Sequence, residues 1–408
     1  MENNQSLEKR LSLFLRIFPF YTGLSMDLMF FIAIDTLFFT VAKNFSAFQI
    51  TFLGVIPTLI CIGLQPVLVK IIKKLGNANS SRLGAITLLI SSIIFTFGSN
   101  FYVIAIGQLI YDISFVLKNT ESITLRNNLK YSNNSDLFFL LRGRANTIYA
   151  IVTFIIALSV GPLFNINPYL PMYLCIFFAL INVFLSFFFY DLPYKDEDET
   201  DDLLIDNKKI KLSKILKLAL LSSTLFLGIA YIGQTESKLF IQYYLDNTYG
   251  IGLTATYLGF IVATSRIARI FINLIFNKIY IKVKNNISVI MSFLLTISFS
   301  LIVIGYLLPV PNFIKFLIMA IGFSFIVSFR DPFIIYIEDL LLKNSRKKQQ
   351  QKLFVYMELL RKLGKVALNF VISLILLKFD LFIVMILFIV LSLMELILSK
   401  YITKINRS

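Results

Sequence analysis

The chain has 408 residues, 57% of them apolar and only 15% charged, with a mean hydropathy of +0.80. Soluble domains lie nearer to about half apolar and about a quarter charged, so this composition excludes an ordinary soluble enzyme or binding module and places the chain in a bilayer. The net charge of +16 then belongs to loop topology and to anionic lipid headgroups, and no nucleic-acid partner is implied.

A span of hydrocarbon about 30 Å thick takes roughly 20 apolar residues as a helix. On that measure the sequence predicts an all-α integral membrane protein with twelve transmembrane helices, at 16–42, 47–69, 83–100, 101–125, 137–164, 168–190, 216–245, 253–280, 286–308, 312–342, 353–378 and 380–401. Lys9, Arg10 and Arg16 precede a first span too long for a signal-peptide core, so an uncleaved anchor is expected. Between spans three and four only Gly98-Ser99-Asn100 marks a division. After span six, KDEDETDDLLID (195–206) leads into the basic KKIKLSKILK (208–217), an acidic linker before a candidate amphipathic surface helix. This sets the expected organisation: a six-helix bundle over 1–190, a cytoplasmic linker over 191–215 and a second six-helix bundle over 216–408.

Cations alternate with the spans. Lys70, Lys73, Lys74 and Arg82; Arg126 and Lys130; Lys208, Lys209, Lys211, Lys214 and Lys217; Lys278, Lys282 and Lys284; and Lys343, Arg346, Lys347, Lys348 and Lys352 all fall on one side, whereas the other side holds little beyond Lys43 and Lys378. The positive-inside rule puts the basic side and both termini in the cytoplasm of a multi-pass cell-membrane protein.

The two halves repeat. Thr51-Phe52-Leu53-Gly54 opens an apolar span ending in Lys70, Lys73 and Lys74; Thr256-Tyr257-Leu258-Gly259 opens another ending in Lys278, Lys282 and Lys284, 205 positions on. FVLKNTESITLRNNL (115–129) aligns with VSFRDPFIIYIEDLL (327–341), placing Lys118 on Arg330. Duplicated halves in a polytopic protein point to transport.

Cys61 and Cys175 stand alone inside apolar spans and histidine is absent, so the sequence offers no metal or disulfide spacing and no imidazole acid-base catalysis. No cofactor and no enzymatic activity are expected, and any proton coupling must use carboxylates.

The six-plus-six layout, the central loop and the basic turn VKIIKKLGN (69–77) resemble transporters of the major facilitator superfamily. Gly76 matches the signature loop, whereas Lys73 stands where that family has an aspartate and Val69 where it has a glycine. The resemblance implies two pseudo-symmetric six-helix bundles around a central cavity, alternating access, and a path lined by spans 1, 4, 7 and 10.

Charges inside spans are costly unless paired or hydrated, and they concentrate in those same spans. The candidate substrate and proton pathway comprises Asp27 and Asp35; Asp112, Lys118 and Glu121; Glu236 and Lys238; Arg266 on span 8; and Arg330 and Asp331. Nearer the cytoplasm, Arg126 and Asn127 align with Glu338 and Asp339, an inversion of charge that suggests a gate formed by Arg126, Arg142, Arg144, Glu338 and Asp339. The alternative for the pathway residues is structural ion pairing, and for the gate residues it is charge at headgroup level with no part in gating. The mixed cavity charge suits an amphipathic or zwitterionic organic solute. The expected protein is a monomeric, proton-coupled secondary transporter with a small-molecule solute, protons and membrane lipids as partners, efflux favoured over uptake; a lipid flippase or another non-transport membrane protein is the competing class.

Overall fold

The computed structural model describes residues 4–134, 137–192, 213–283, 286–344 and 347–407. No strand occurs among them. Each predicted span is filled by one to three consecutive helical pieces, and nine helical runs are long and apolar enough to cross a membrane, among the described residues. Only an internally hydrogen-bonded backbone is tolerated in hydrocarbon, which is why the solution is helical throughout.

Span 1 is α1 (Asn4–Ser25) followed by α2 (Phe31–Leu37) and a wider helical turn, Phe38–Ala42. Span 2 is α3 (Ala47–Phe52) and α4 (Ile56–Leu75). Ser46 starts α3 with a reciprocal cap: its hydroxyl accepts from the Gln49 amide at 3.3 Å and its own amide donates to the Gln49 side chain at 3.0 Å. Pro57 stands in the first turn of α4, where its missing N–H costs nothing. In α5 (Asn77–Phe97) and α6 (Phe101–Lys118) the division expected at residues 98–100 is real: the Asn100 side chain caps α6 by accepting from the Val103 amide at 3.0 Å. α7 (Glu121–Tyr131), α8 (Leu137–Ile166) and α9 (Leu170–Ser186) complete the first half.

The second half holds α10 (Lys214–Tyr249), α11 (Ile251–Val283), α12 (Ile287–Leu307), α13 (Asn312–Ser328), α14 (Arg330–Lys343), α15 (Lys347–Leu376) and α16 (Leu381–Arg407). The acidic linker lies outside the described residues, as do Lys208, Lys209, Lys211, Lys284 and Arg346. The described part of the expected amphipathic segment, Ser213–Lys217, is the cap and first turn of α10.

Two compact units result, and they interleave along the chain. The first contains α1, α4 to α7, most of α8, and α9. Its core near the basic ends packs Phe14, Phe18 and Tyr21 of α1 against Leu125, Leu129 and Phe189. Gly76 turns the chain between α4 and α5 at φ +80, a left-handed angle that favours glycine. The Asp191 carboxylate then accepts from the Ala78 amide at 3.0 Å, at the start of α5.

The second unit contains α2 from Ile34, α3, the last residues of α8 (Ala157–Asn165) and α10 to α16. Its contacts explain the first repeat. A Cβ on Gly161 would lie 2.6 Å from the Thr256 backbone, and Gly259 abuts the Ala157 carbonyl, so spans 5 and 8 meet backbone to backbone. Gly54, the glycine of the other copy, abuts the Asn369 side chain, bringing span 2 against span 11. Both copies thus place their glycine at a helix–helix contact, against backbone at Gly259 and against a side chain at Gly54. Within a bilayer helices have no water to escape, and small residues that permit close backbone approach carry the association.

Candidate functional site

The site begins with a fault in span 1. The helix stops at Ser25 and restarts at Phe31, freeing carbonyls and amides that hydrocarbon cannot satisfy. Asp27 helps cause the break, since its carboxylate accepts from the next backbone amide, Leu28, at 2.8 Å and so competes with helix geometry. Distant helices meet the loose ends. The Asn182 amide donates to the Leu24 carbonyl at 2.9 Å, the Lys118 ammonium donates to the Ser25 carbonyl, and the Phe31 N–H donates to the Cys175 sulfur at 3.2 Å. The Tyr111 hydroxyl donates to Asp27 itself.

Lys118 is only 4% exposed and occupies the last position of α6, beside a second fault at Asn119-Thr120. Gly84 makes room for it: a Cβ there would lie 2.6 Å from the Lys118 Cγ. Glu121, just past the fault, forms an ion pair with Arg142 at 3.4 Å, and the charge of Lys118 also bears on it. Asp112 accepts from Thr58 at 2.8 Å and from Gln108 at 3.1 Å. The charged residues singled out in the sequence thus take partners here that the sequence did not indicate.

In the second unit the long helix α10 organises the charges. Lys238, buried, pairs with Asp35 of α2. Glu236, 0% exposed, accepts from the Thr51 hydroxyl of α3 at 2.6 Å, while its other oxygen has no hydrogen-bond partner among the described residues. Gln242 donates to Thr40 at 2.6 Å. Toward the other end, Arg330 donates to Gln234 at 3.3 Å and stacks over Tyr231 at 4.2 Å, with Lys365 over the same ring at 4.6 Å. Asp331 accepts from Arg269 at 2.6 Å and lies 4.0 Å from the Arg330 guanidinium. Arg266 is buried one turn before Arg269.

Arg330 begins α14 after a break at Phe329. Pro332 explains it, because a proline cannot donate to the carbonyl four residues back, that of Ser328. Lys118 and Arg330, aligned by the sequence repeat, therefore both sit at interruptions of their spans.

Of the gate residues, Arg126 is exposed, Arg142 holds Glu121 and Arg144 lines a cavity in its own unit. Asp339 accepts from Lys343 at 2.6 Å and from the Tyr280 hydroxyl. The hydrogen bond to that carboxylate holds the Lys343 ammonium above its ordinary range.

Sequence reasoning missed two buried polar centres. Glu395 of α16 accepts from Ser222 at 2.5 Å and from Ser399 at 3.1 Å; Arg361 of α15 donates to Ser223 at 2.7 Å and pairs with Glu358 at 2.8 Å. Glu395 stands as a lone acid within the apolar run of the last span, which is the one signal the sequence carries for this centre. Asn182, Tyr111 and Gln234 carried no charge to flag them.

No protein-family model and no curated protein sequence matches the chain. Solved structures do. A mutant form of the nucleoside transporter NupG superposes with a TM-score of 0.74 at 12% identity, covering 96% of this chain and 99% of that one. A bacterial homologue of the human lysosomal transporter Spinster, in an inward-facing and occupied conformation, gives 0.68 at 9% identity over 97% and 96%. The peptide transporter POT in complex with sulfate gives 0.68 at 12% over 98% and 94%. The chain has the major facilitator superfamily fold. At these identities the likeness speaks for the fold alone.

Proposed function

We propose that the chain is a secondary active transporter that moves a small organic solute by alternating access, coupled to protons. One observation carries the reading: span 1 is interrupted inside the membrane, and the interruption is held by Lys118, Tyr111 and Asn182 from other helices. Discontinuous spans with polar groups gathered at the break are a recurrent feature of membrane-transporter binding sites. The similar solved structures are transporters by description, which supports the same class. The pathway residues are Asp27, Asp35, Asp112, Lys118, Glu121, Glu236, Lys238, Arg266, Arg330 and Asp331.

Glu236 is our choice of proton carrier. Asp35 and Glu121 are each offset by a cation, whereas the hydrogen bond to Glu236 comes from a neutral hydroxyl. The inner gate remains our assignment for Arg126, Arg142, Arg144, Glu338 and Asp339, on the charge inversion between repeats. Reconstituted protein under an imposed pH gradient, offered amphipathic cations, zwitterions and anions, tests the proposal. Gradient-dependent accumulation that Glu236→Gln uncouples is the expected result, and the sign of the effective gradient separates efflux from uptake. Gradient-independent scrambling of labelled phospholipid, with no solute moved, would favour a flippase instead.

A further inference from the structure

The first unit contains a cavity of about 1390 Å³ between α1 and α8, apart from the broken-helix centre. Its origin is local. At Gly23 the two helices touch, a Cβ there lying 2.9 Å from the Ala145 carbonyl; away from that point, toward residue 11 of α1 and residue 137 of α8, the cavity occupies the space between them. Leu11, Leu15, Leu140 and Ile148 line it at helical spacing, and the end of α7 with the turn after it adds Tyr131 and Asn134, both exposed. Two cations complete the lining, Arg16 from α1 and Arg144 from α8, and no carboxylate lines it among the described residues.

We propose that this cleft binds a small amphiphilic anion, a single carboxylate on an apolar body, taken up from the aqueous side that the basic loops face. Arginine presents a planar fork that holds a carboxylate by paired hydrogen bonds, and one arginine on each wall leaves the leucine faces for the apolar part. Arg142 shows the contrast: two residues before Arg144, it is already held by Glu121. The volume exceeds the roughly 300–1,000 Å³ usual for organic-ligand pockets, so size does not limit such a guest. The exposed turn at Tyr131–Asn134 favours a dissolved solute over a bilayer lipid. This inference goes beyond the transport reading, since the cleft lies apart from the pathway residues, and it is tested by binding, so a negative result here leaves the transport assay to judge transport.

The chain has no tryptophan, so Phe20→Trp, at a half-exposed cavity position, gives a reporter without background. The variant in phosphatidylcholine nanodiscs is titrated with 11-bromoundecanoate and with its methyl ester. Saturable quenching by the acid, at least about tenfold weaker for the ester and for the acid after Arg16→Gln with Arg144→Gln, is the expected result. Arg16→Lys with Arg144→Lys should retain part of the affinity, and Thr147→Trp, assayed by displacement of a labelled acid, should block the cleft without removing either charge. The proposal is overturned if acid and ester quench alike, if the double glutamine variant binds the acid as before while remaining monodisperse, or if brominated phosphatidylglycerol in the discs occupies the site and excludes the acid.

Discussion

Lys118 is where a single side chain decides local architecture. Its ammonium is the donor that satisfies the Ser25 carbonyl across 93 residues of sequence, and Gly84 leaves space for its stem. Lys118→Met should cost about 1–3 kcal/mol, the usual penalty of an orphaned buried acceptor, seen as a lower thermal midpoint in detergent, and should also abolish solute movement. A midpoint equal to that of the parent protein would show that the carbonyl finds another donor. The Asp35–Lys238 pair makes a second residue-scale test. Removing one partner strands a buried charge, so Asp35→Asn should destabilise by about 3–5 kcal/mol, whereas Asp35→Asn with Lys238→Gln should recover much of the loss. Strict additivity in that double-mutant cycle would deny the coupling.

At the scale of elements, the breaks matter more than the helices. Spans 1, 4 and 10 are each interrupted beside a charge: Asp27, Lys118 and Arg330. Only the last break has a proline to announce it. The other two arise from short polar side chains that bond to nearby backbone, as Asp27 does to Leu28 and Thr120 does to the Leu117 carbonyl at 2.7 Å. Such competition is decided by what surrounds the helix, which is why the sequence read residues 16–42 as one continuous span. Pro332→Ala should let α13 run into α14, raising thermal stability while slowing transport; slower hydrogen exchange across Val327–Asp331 would register the repaired turn. Close packing gives a further test. Gly259→Val should separate spans 5 and 8 and lower folded yield sharply, and normal yield with normal stability would contradict the backbone contact inferred at Ala157.

For the whole molecule, topology is the property most open to direct test. Cys61 and Cys175 are both buried, so a cysteine introduced at Lys74 or at Lys378 can be labelled selectively by a membrane-impermeant maleimide. Intact cells should protect position 74 and expose position 378; the reverse pattern would invert the orientation and with it the assignment of the gate to the cytoplasm.

Hydropathy and run length were enough to read the membrane class and the helical architecture, because in hydrocarbon most backbone groups must be bonded within their own segment and that demand is local. Charge within spans marked Lys118, Glu236 and Lys238 in the sequence, and all three are buried in the fold, each being too costly to place in a span without a partner or water. Only the folded chain decided the partnerships: Lys118 with the Ser25 carbonyl, Glu121 with Arg142, Thr51 with Glu236. A buried charge takes whichever complementary group packing brings within about 3 Å, and a partner 93 or 185 residues away leaves no mark on the sequence around it.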